Sequence, residues 1–206
     1  MKTVRRIILF GGTFDPIHLG HTAVVAQASH HLDAETVVFV PARRSPLKNA
    51  APKATDADRV AMIGLAIADH PGWRVSDCEL QRPPPSYTID TILHFRALYG
   101  DSAQLHWLIG ADTVQELPNW HRIDQLLDLC TVVAMVRAGC PRPDFARFIP
   151  LWGTDRARQL QEHVIETPLV DISSTSVRQR LAAGQDVGGM LHPSVMDYIR
   201  THGLYR

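Results

Sequence analysis

Residues Gly11 to His21 read Gly-Gly-Thr-Phe-Asp-Pro-Ile-His-Leu-Gly-His, directly behind the apolar residues Val4, Ile7, Ile8, Leu9 and Phe10. A glycine-rich turn is expected at the end of a buried strand, with two histidines three positions apart where a helix begins. The plainer reading is a tight strand-to-helix turn with surface histidines, but so many chemically meaningful positions in one short segment favour a ligand-binding turn. Gly11 and Gly12 would let the backbone turn sharply and approach a ligand with no Cβ in the way. Pro16 stiffens the turn and supplies no competing donor. His18 and His21 fall on one face of the first helical turn, and Gly20 keeps the space between them open. The N–H groups and positive dipole end of such a helix attract an anion, and a phosphate chain suits them well. The segment is not a P-loop, because no Gly-Lys-Ser/Thr follows the glycines.

The rest of the chain repeats the strand-then-helix order. β-rich apolar runs occur at Val4–Phe10, Thr36–Val40, Trp73–Val75, Leu105–Ile109, Thr131–Val136 and His163–Val170. Between them, helical spacing marks Thr22–Leu32, Asp56–Ala68, Thr88–Leu98 and Ile123–Leu129, with Val60, Ile63, Ala66 and Ile67 on the buried face of the second. Apolar strands alternating with amphipathic helices predict an α/β fold, a Rossmann-like doubly wound parallel sheet. The tail from Ser173 reads as two short helices, Ser176–Ala183 and Pro193–Thr201, around a Gly184–Gly189 turn. We therefore expect one domain over 1–206, with an α/β core over 1–172 and a helical appendage over 173–206. Long loops are expected at Pro41–Thr55 and Gln81–Ser86, and loops at strand ends are where open α/β sheets bind ligands.

Composition excludes several classes of function. Lysine and arginine number 21, as do aspartate and glutamate, so no global field favours nucleic acid or an anionic membrane. No run approaches the roughly 18 apolar residues of a membrane span. Between Arg6 and Gly11 only Ile7 to Phe10 are apolar, too few for a signal-peptide core. A cytoplasmic location is expected. The three cysteines (Cys78, Cys130, Cys140) form no CxxC pair and no zinc spacing, which reads as free thiols in a reducing compartment.

A second phosphate-binding segment lies near the other end of the chain, where Ile172 to Arg178 read Ile-Ser-Ser-Thr-Ser-Val-Arg. Ser173, Ser174 and Thr175 are candidate N-caps for the helix that follows. Arg178 sits one turn inside, where a cation opposes the helix dipole and calls for an anion. Hydroxyls, backbone N–H groups and a guanidinium fork together can clamp a triphosphate.

The first segment resembles the HxGH signature of the nucleotidyltransferase superfamily, which is shared with class I aminoacyl-tRNA synthetases. The second resembles the ISSTxxR signature of the adenylyltransferases. No KMSKS-like segment is present, and the chain is too short for a synthetase with an anticodon domain. The resemblance narrows to bacterial nicotinate mononucleotide adenylyltransferases through Pro41–Lys48 (PARRSPLK), Pro85–Thr91 (PSYTIDT), Ile109–Asp112 (IGAD), Leu117–Trp120 (LPNW) and Gly203–Arg206 (GLYR). One departure is Leu47, where many relatives carry a histidine.

The resemblance implies adenylyl transfer from ATP to nicotinate mononucleotide, giving nicotinate adenine dinucleotide and pyrophosphate. It implies that Gly11, Gly12, Thr13, Phe14, His18, His21, Lys48, Asp112, Ser174, Thr175 and Arg178 hold ATP. Of these, His18, His21 and Arg178 would be catalytic. Asp112 would accept hydrogen bonds from the ribose hydroxyls, although the residue alone is equally well read as a helix cap. Tyr87, Thr88 and Trp120 would border the pyridine base, and Arg137 the mononucleotide phosphate; a core tryptophan and a solvated arginine are the plainer readings of the last two. Mg²⁺ would arrive with ATP, held mainly by its phosphates and water, with no metal site on the protein. The expected partners are ATP and nicotinate mononucleotide, with neither nucleic acid nor membrane, and a homo-oligomer is allowed. Other readings remain open from the residues: a preference for nicotinamide mononucleotide, a phosphopantetheine or cytidylyl substrate, a sensor without turnover, or a metal protein using His18, His21, His30 and His31.

Overall fold

The computed structural model describes residues 5–44 and 51–206. Six strands form one all-parallel sheet: β1 (Arg6–Gly12), β2 (Thr36–Pro41), β3 (Trp73–Val75), β4 (Gln104–Gly110), β5 (Thr131–Arg137) and β6 (Val164–Thr167). Their spatial order is β3-β2-β1-β4-β5-β6. The connecting helices are α1 (Leu19–His31), α2 (Asp56–Ala66), α3 (Thr88–Tyr99), α4 (Ile123–Leu129) and α5 (Ile149–Glu162), followed by α6 (Ser174–Ala182) and α7 (Pro193–His202). The doubly wound α/β fold expected from the alternation is the fold observed.

Side-chain alternation along the strands separates two cores. Ile7, Leu9, Val38, Trp107, Val132 and Ala134 face α3, α4 and α5 through Ile92, Phe95, Leu126 and Leu160. Ile8, Phe10, Val37, Phe39, Leu108 and Val133 face α1, α2, α6 and α7 through Val25, Met62, Ile63, Val177 and Ile199. A central strand covered on both faces has no polar side, which is why these runs read as continuous apolar segments. Strand order reverses between β1 and β4, which pair in register Leu9↔Trp107 and Phe10↔Leu108. Outside the carboxyl ends of those two strands lies the crevice where such sheets bind ligands.

The chain departs from the sequence pattern in four places. Gly11 and Gly12 are not a turn: they are the last residues of β1, paired with Val40 and Pro41 of β2. The turn follows at Thr13–Ile17, where Phe14 takes a left-handed backbone with φ 49°. β6 stops at Thr167, ahead of Pro168, well short of Val170. α1 starts at Leu19, so His18 caps the helix and Thr22 lies within it. Helix α5 is absent from the sequence pattern because Pro150 and Gly153 interrupt it. Gly153 kinks the helix with φ 79° and ψ 167°, and beyond the kink only Ala157 and Leu160 are buried.

Candidate active site

A cleft of about 1200 Å³ opens at the switch point between β1 and β4. It exceeds the roughly 300–1,000 Å³ of a single small-molecule pocket, and so has room for more than one nucleotide. Its lining includes Gly11, Gly12, Thr13, Phe14, His18 and His21 from the first motif. Ser174, Thr175 and Arg178 from the second, together with Asp112 and Arg137, complete the set. Residues from both ends of the chain therefore meet in one cavity.

The glycines serve packing around this cavity. A Cβ on Gly11 would stand 2.6 Å from the Trp107 ring, and one on Gly12 would stand 2.8 Å from the Phe14 ring. Phe14 is buried against Phe10, Phe39 and His21, so its ring supports the loop by packing at the cleft wall. Gly20 does keep space open, because a Cβ there would press on the His18 ring at 3.0 Å.

His18 and His21 stack with centroids 3.6 Å apart and planes 23° from parallel. The His18 backbone N–H donates to His21 Nδ1 at 3.2 Å, which makes Nδ1 the acceptor. In the neutral imidazole, Nε2 then carries the proton and is a donor. His18 is 8% exposed, and burial pushes its pKa down to about 4. At neutral pH it is an uncharged ring. No acidic residue occupies the first turn of α1, so that helix end keeps its affinity for anions.

The second motif is tied to the first by hydrogen bonds. Ser173 caps α6 by accepting from the Ser176 N–H at 3.1 Å, which leaves Ser174 for another task. Ser174 Oγ donates to the Pro16 carbonyl at 2.9 Å, and Arg178 Nη1 to the Asp15 carbonyl at 2.8 Å. Arg178 Nη2 also donates to Thr175 Oγ1 at 3.3 Å. The Asp15 carboxylate, 3.9 Å from Nη1, supplies part of the negative charge that the position of Arg178 calls for. The guanidinium has five N–H groups, so donors remain for a ligand.

Two buried residues that the sequence pattern did not single out brace the loops. Asp15 accepts from the backbone N–H of Lys53 at 2.8 Å and of Ala54 at 3.0 Å. Arg59, fully buried on α2, donates to the carbonyls of Thr13 at 2.7 Å and Ala42 at 2.9 Å and pairs with Asp56. It thereby clamps the turn after β1 to the chain leaving β2. The only sequence signal for Arg59 was an arginine on the same helical face as Met62 and Ile63.

The remaining expected residues fall in three places. Asp112 is exposed in the 3-10 segment Ala111–Asn119, whose N-cap is Gly110, so it does not cap that helix. Its carboxylate folds back over Gly110, where a Cβ would meet Oδ1 at 2.4 Å. Arg137 is exposed at the end of β5. Tyr87, Thr88 and Trp120 do not line the main cleft. Tyr87 stacks on His121 with centroids 4.4 Å apart, and Trp120 packs on the core. The Trp120 indole Nε1 is buried with no hydrogen-bond partner among the described residues. Lys48 and Leu47 lie outside the described residues. His30 and His31 are exposed in the last turn of α1, so the four histidines do not converge. Among the described residues, no three His, Cys, Asp or Glu side chains are grouped to hold a metal ion, and no helix is long and apolar enough to cross a membrane.

This combination of fold and cleft has relatives along the whole chain. Residues 9–180 match the cytidylyltransferase-like family. A probable nicotinate-nucleotide adenylyltransferase of Moorella thermoacetica is 38% identical over 202 residues, covering 98% of this chain and 92% of the relative. The protein of that name from Neisseria meningitidis is 36% identical, covering 98% and 99%. The Plasmodium falciparum nicotinic acid mononucleotide adenylyltransferase complexed with NaAD shares the fold at a TM-score of 0.72, with 18% identity and coverage of 98% and 97%. The chain belongs to the cytidylyltransferase-like family and, within it, stands among the nicotinate-nucleotide adenylyltransferases.

Proposed function

We infer that the protein transfers the adenylyl group of ATP to the phosphate of nicotinate mononucleotide, forming nicotinate adenine dinucleotide and pyrophosphate. The observation that carries this reading is the convergence of the two motifs: Ser174 and Arg178 bond the Pro16 and Asp15 carbonyls at the mouth of the β1–β4 crevice. The attacking phosphate is already an anion at neutral pH, so no general base is required. Catalysis then consists of aligning two polyanions and neutralising charge on the oxygens around the α-phosphorus.

His21 Nε2–H, the Arg178 guanidinium and the N-terminus of α1 are assigned to the triphosphate. His18, uncharged, holds His21 by stacking and offers a neutral edge to the phosphates. Gly11 to Thr13, Ser174 and Thr175 contribute backbone and hydroxyl donors, with Phe14 acting from beneath the loop. Asp112 is assigned to the ribose hydroxyls and Lys48 to the triphosphate. Arg137 is assigned to the mononucleotide phosphate, and Tyr87, Thr88 and Trp120 to the base. Carboxylates are sparse here: the Asp15 side chain is occupied by Lys53, Ala54 and Tyr205, while Asp112 is exposed. That donor set fits Mg²⁺ delivered on the triphosphate with its own water, where it would neutralise charge on the leaving pyrophosphate.

The test is pyrophosphate release from ATP and Mg²⁺ with a panel of acceptors. Turnover is expected with pyridine mononucleotides and not with phosphopantetheine. The opposite selectivity would overturn the assignment.

A further inference from the structure

The turn after α7 reaches Asp15, one of the residues that line the cleft. After α7, Gly203 and Tyr205 both adopt left-handed backbones, with φ 63° and 62°. For tyrosine that region is uncommon and calls for a compensating contact. The contact is a hydrogen bond in which the Tyr205 hydroxyl donates to Asp15 Oδ1 at 2.8 Å, across 190 residues of sequence. Burial and the Asp15 carboxylate both raise the phenol pKa, so the hydroxyl keeps its proton and remains a donor.

Asp15 is where three segments meet. Its carboxylate holds the Lys53 and Ala54 amides and the Tyr205 hydroxyl, while its carbonyl holds Arg178. Pro52 and Ala51, one and two residues before Lys53, line the cleft. A buried carboxylate needs its donors satisfied to keep one orientation. Without the phenol, Oδ1 retains only the Ala54 amide among these donors and the carboxylate can rotate toward Arg178.

We propose that Tyr205 is a positioning residue for nucleotidyl transfer: its hydroxyl fixes Asp15, and Asp15 aims the Arg178 guanidinium and the 51–54 segment at the bound triphosphate. This rests on the adenylyl-transfer reading, which places Arg178 against the phosphates.

Tyr205→Phe removes the hydroxyl and keeps the ring that packs beside Leu204 on the core. Two measurements on the full chain test it. In steady-state kinetics, kcat should fall about tenfold while KM for ATP stays within about threefold. In an Arg178→Lys background the same change should cost less than about twofold more. Tyr198→Phe breaks only the bond between α7 and Asp58, and should leave kcat within about twofold of wild type. In hydrogen exchange, the Lys53 and Ala54 amides of Tyr205→Phe should exchange at least about tenfold faster than in wild type. Unchanged kcat, or a full additional loss in the Arg178→Lys background, would overturn the positioning role. Unchanged exchange at Lys53 and Ala54 would overturn the link through Asp15. Exchange can be read whether or not the wild-type protein turns over, so failure of the link and failure of the transferase assignment are separable.

Discussion

At the scale of single residues, the cleft works by fixing which atoms present hydrogens. His21 could offer either ring nitrogen, and the His18 backbone N–H settles the choice by donating to Nδ1. On the adenylyl-transfer reading, Nε2–H would be a donor for charge that shifts as the α-phosphorus is displaced, and removing one such donor costs on the order of 10²–10³ in rate. His21→Ala should therefore lower kcat by about that factor with a smaller change in KM for ATP. A variant within threefold of wild type would reduce His21 to a helix-start residue. His18, with its pKa near 4, is neutral from pH 5 upward and adds no ionisation to the rate profile in that range.

At the scale of elements, the start of α3 and the interior of α2 carry separate consequences. Tyr87 is the N-cap of α3 and makes no side-chain cap, and the proposed base pocket assigns the first backbone N–H groups of that helix, at Thr88, to a carboxylate. In that assignment nicotinate would satisfy them, whereas the nicotinamide NH₂ would set donor against donor at about 1–3 kcal/mol for each unpaired group. The ratio of kcat/KM should then favour nicotinate mononucleotide by roughly 10²-fold, and a ratio near one would remove this helix end from the base pocket. On α2, Arg59→Met would leave the Thr13 and Ala42 carbonyls without their guanidinium donor. Urea unfolding should show a loss of about 2–5 kcal/mol, and KM for ATP should rise. An unchanged unfolding midpoint would mean that other groups satisfy those carbonyls. Sequence patterning made the strands and most helices legible because each central strand is apolar on both faces. It could not show that Gly11 and Gly12 make room for Trp107 and Phe14, since those rings approach from residues outside the glycine pair. Nor did it supply α5, where Pro150 and Gly153 erase the period.

At the scale of the whole molecule, stability couples to pH through imidazoles buried without partners. His106 lies on β4, 7% exposed, and neither ring nitrogen has a hydrogen-bond partner among the described residues. Burial, with His163 and Arg6 nearby, pushes its pKa from 6.5 down to about 4. Between those values the unfolded chain binds a proton that the folded chain refuses, so stability falls as pH drops through the interval. The contribution is fully present above pH 6.5 and has gone by pH 4. His18 acts in the same direction. Glu79 acts in the opposite one, because burial raises its pKa and favours its neutral form in the folded state. Those opposing terms make the wild-type curve a poor measure of His106, and a single substitution isolates it. His106→Leu replaces the ring with an apolar side chain of similar size and leaves His18 and Glu79 in place. Between pH 7 and 5, its loss of unfolding free energy in urea should be about 1–2 kcal/mol smaller than that of wild type. Parallel curves across that window would show that His106 finds a partner or water in the folded state.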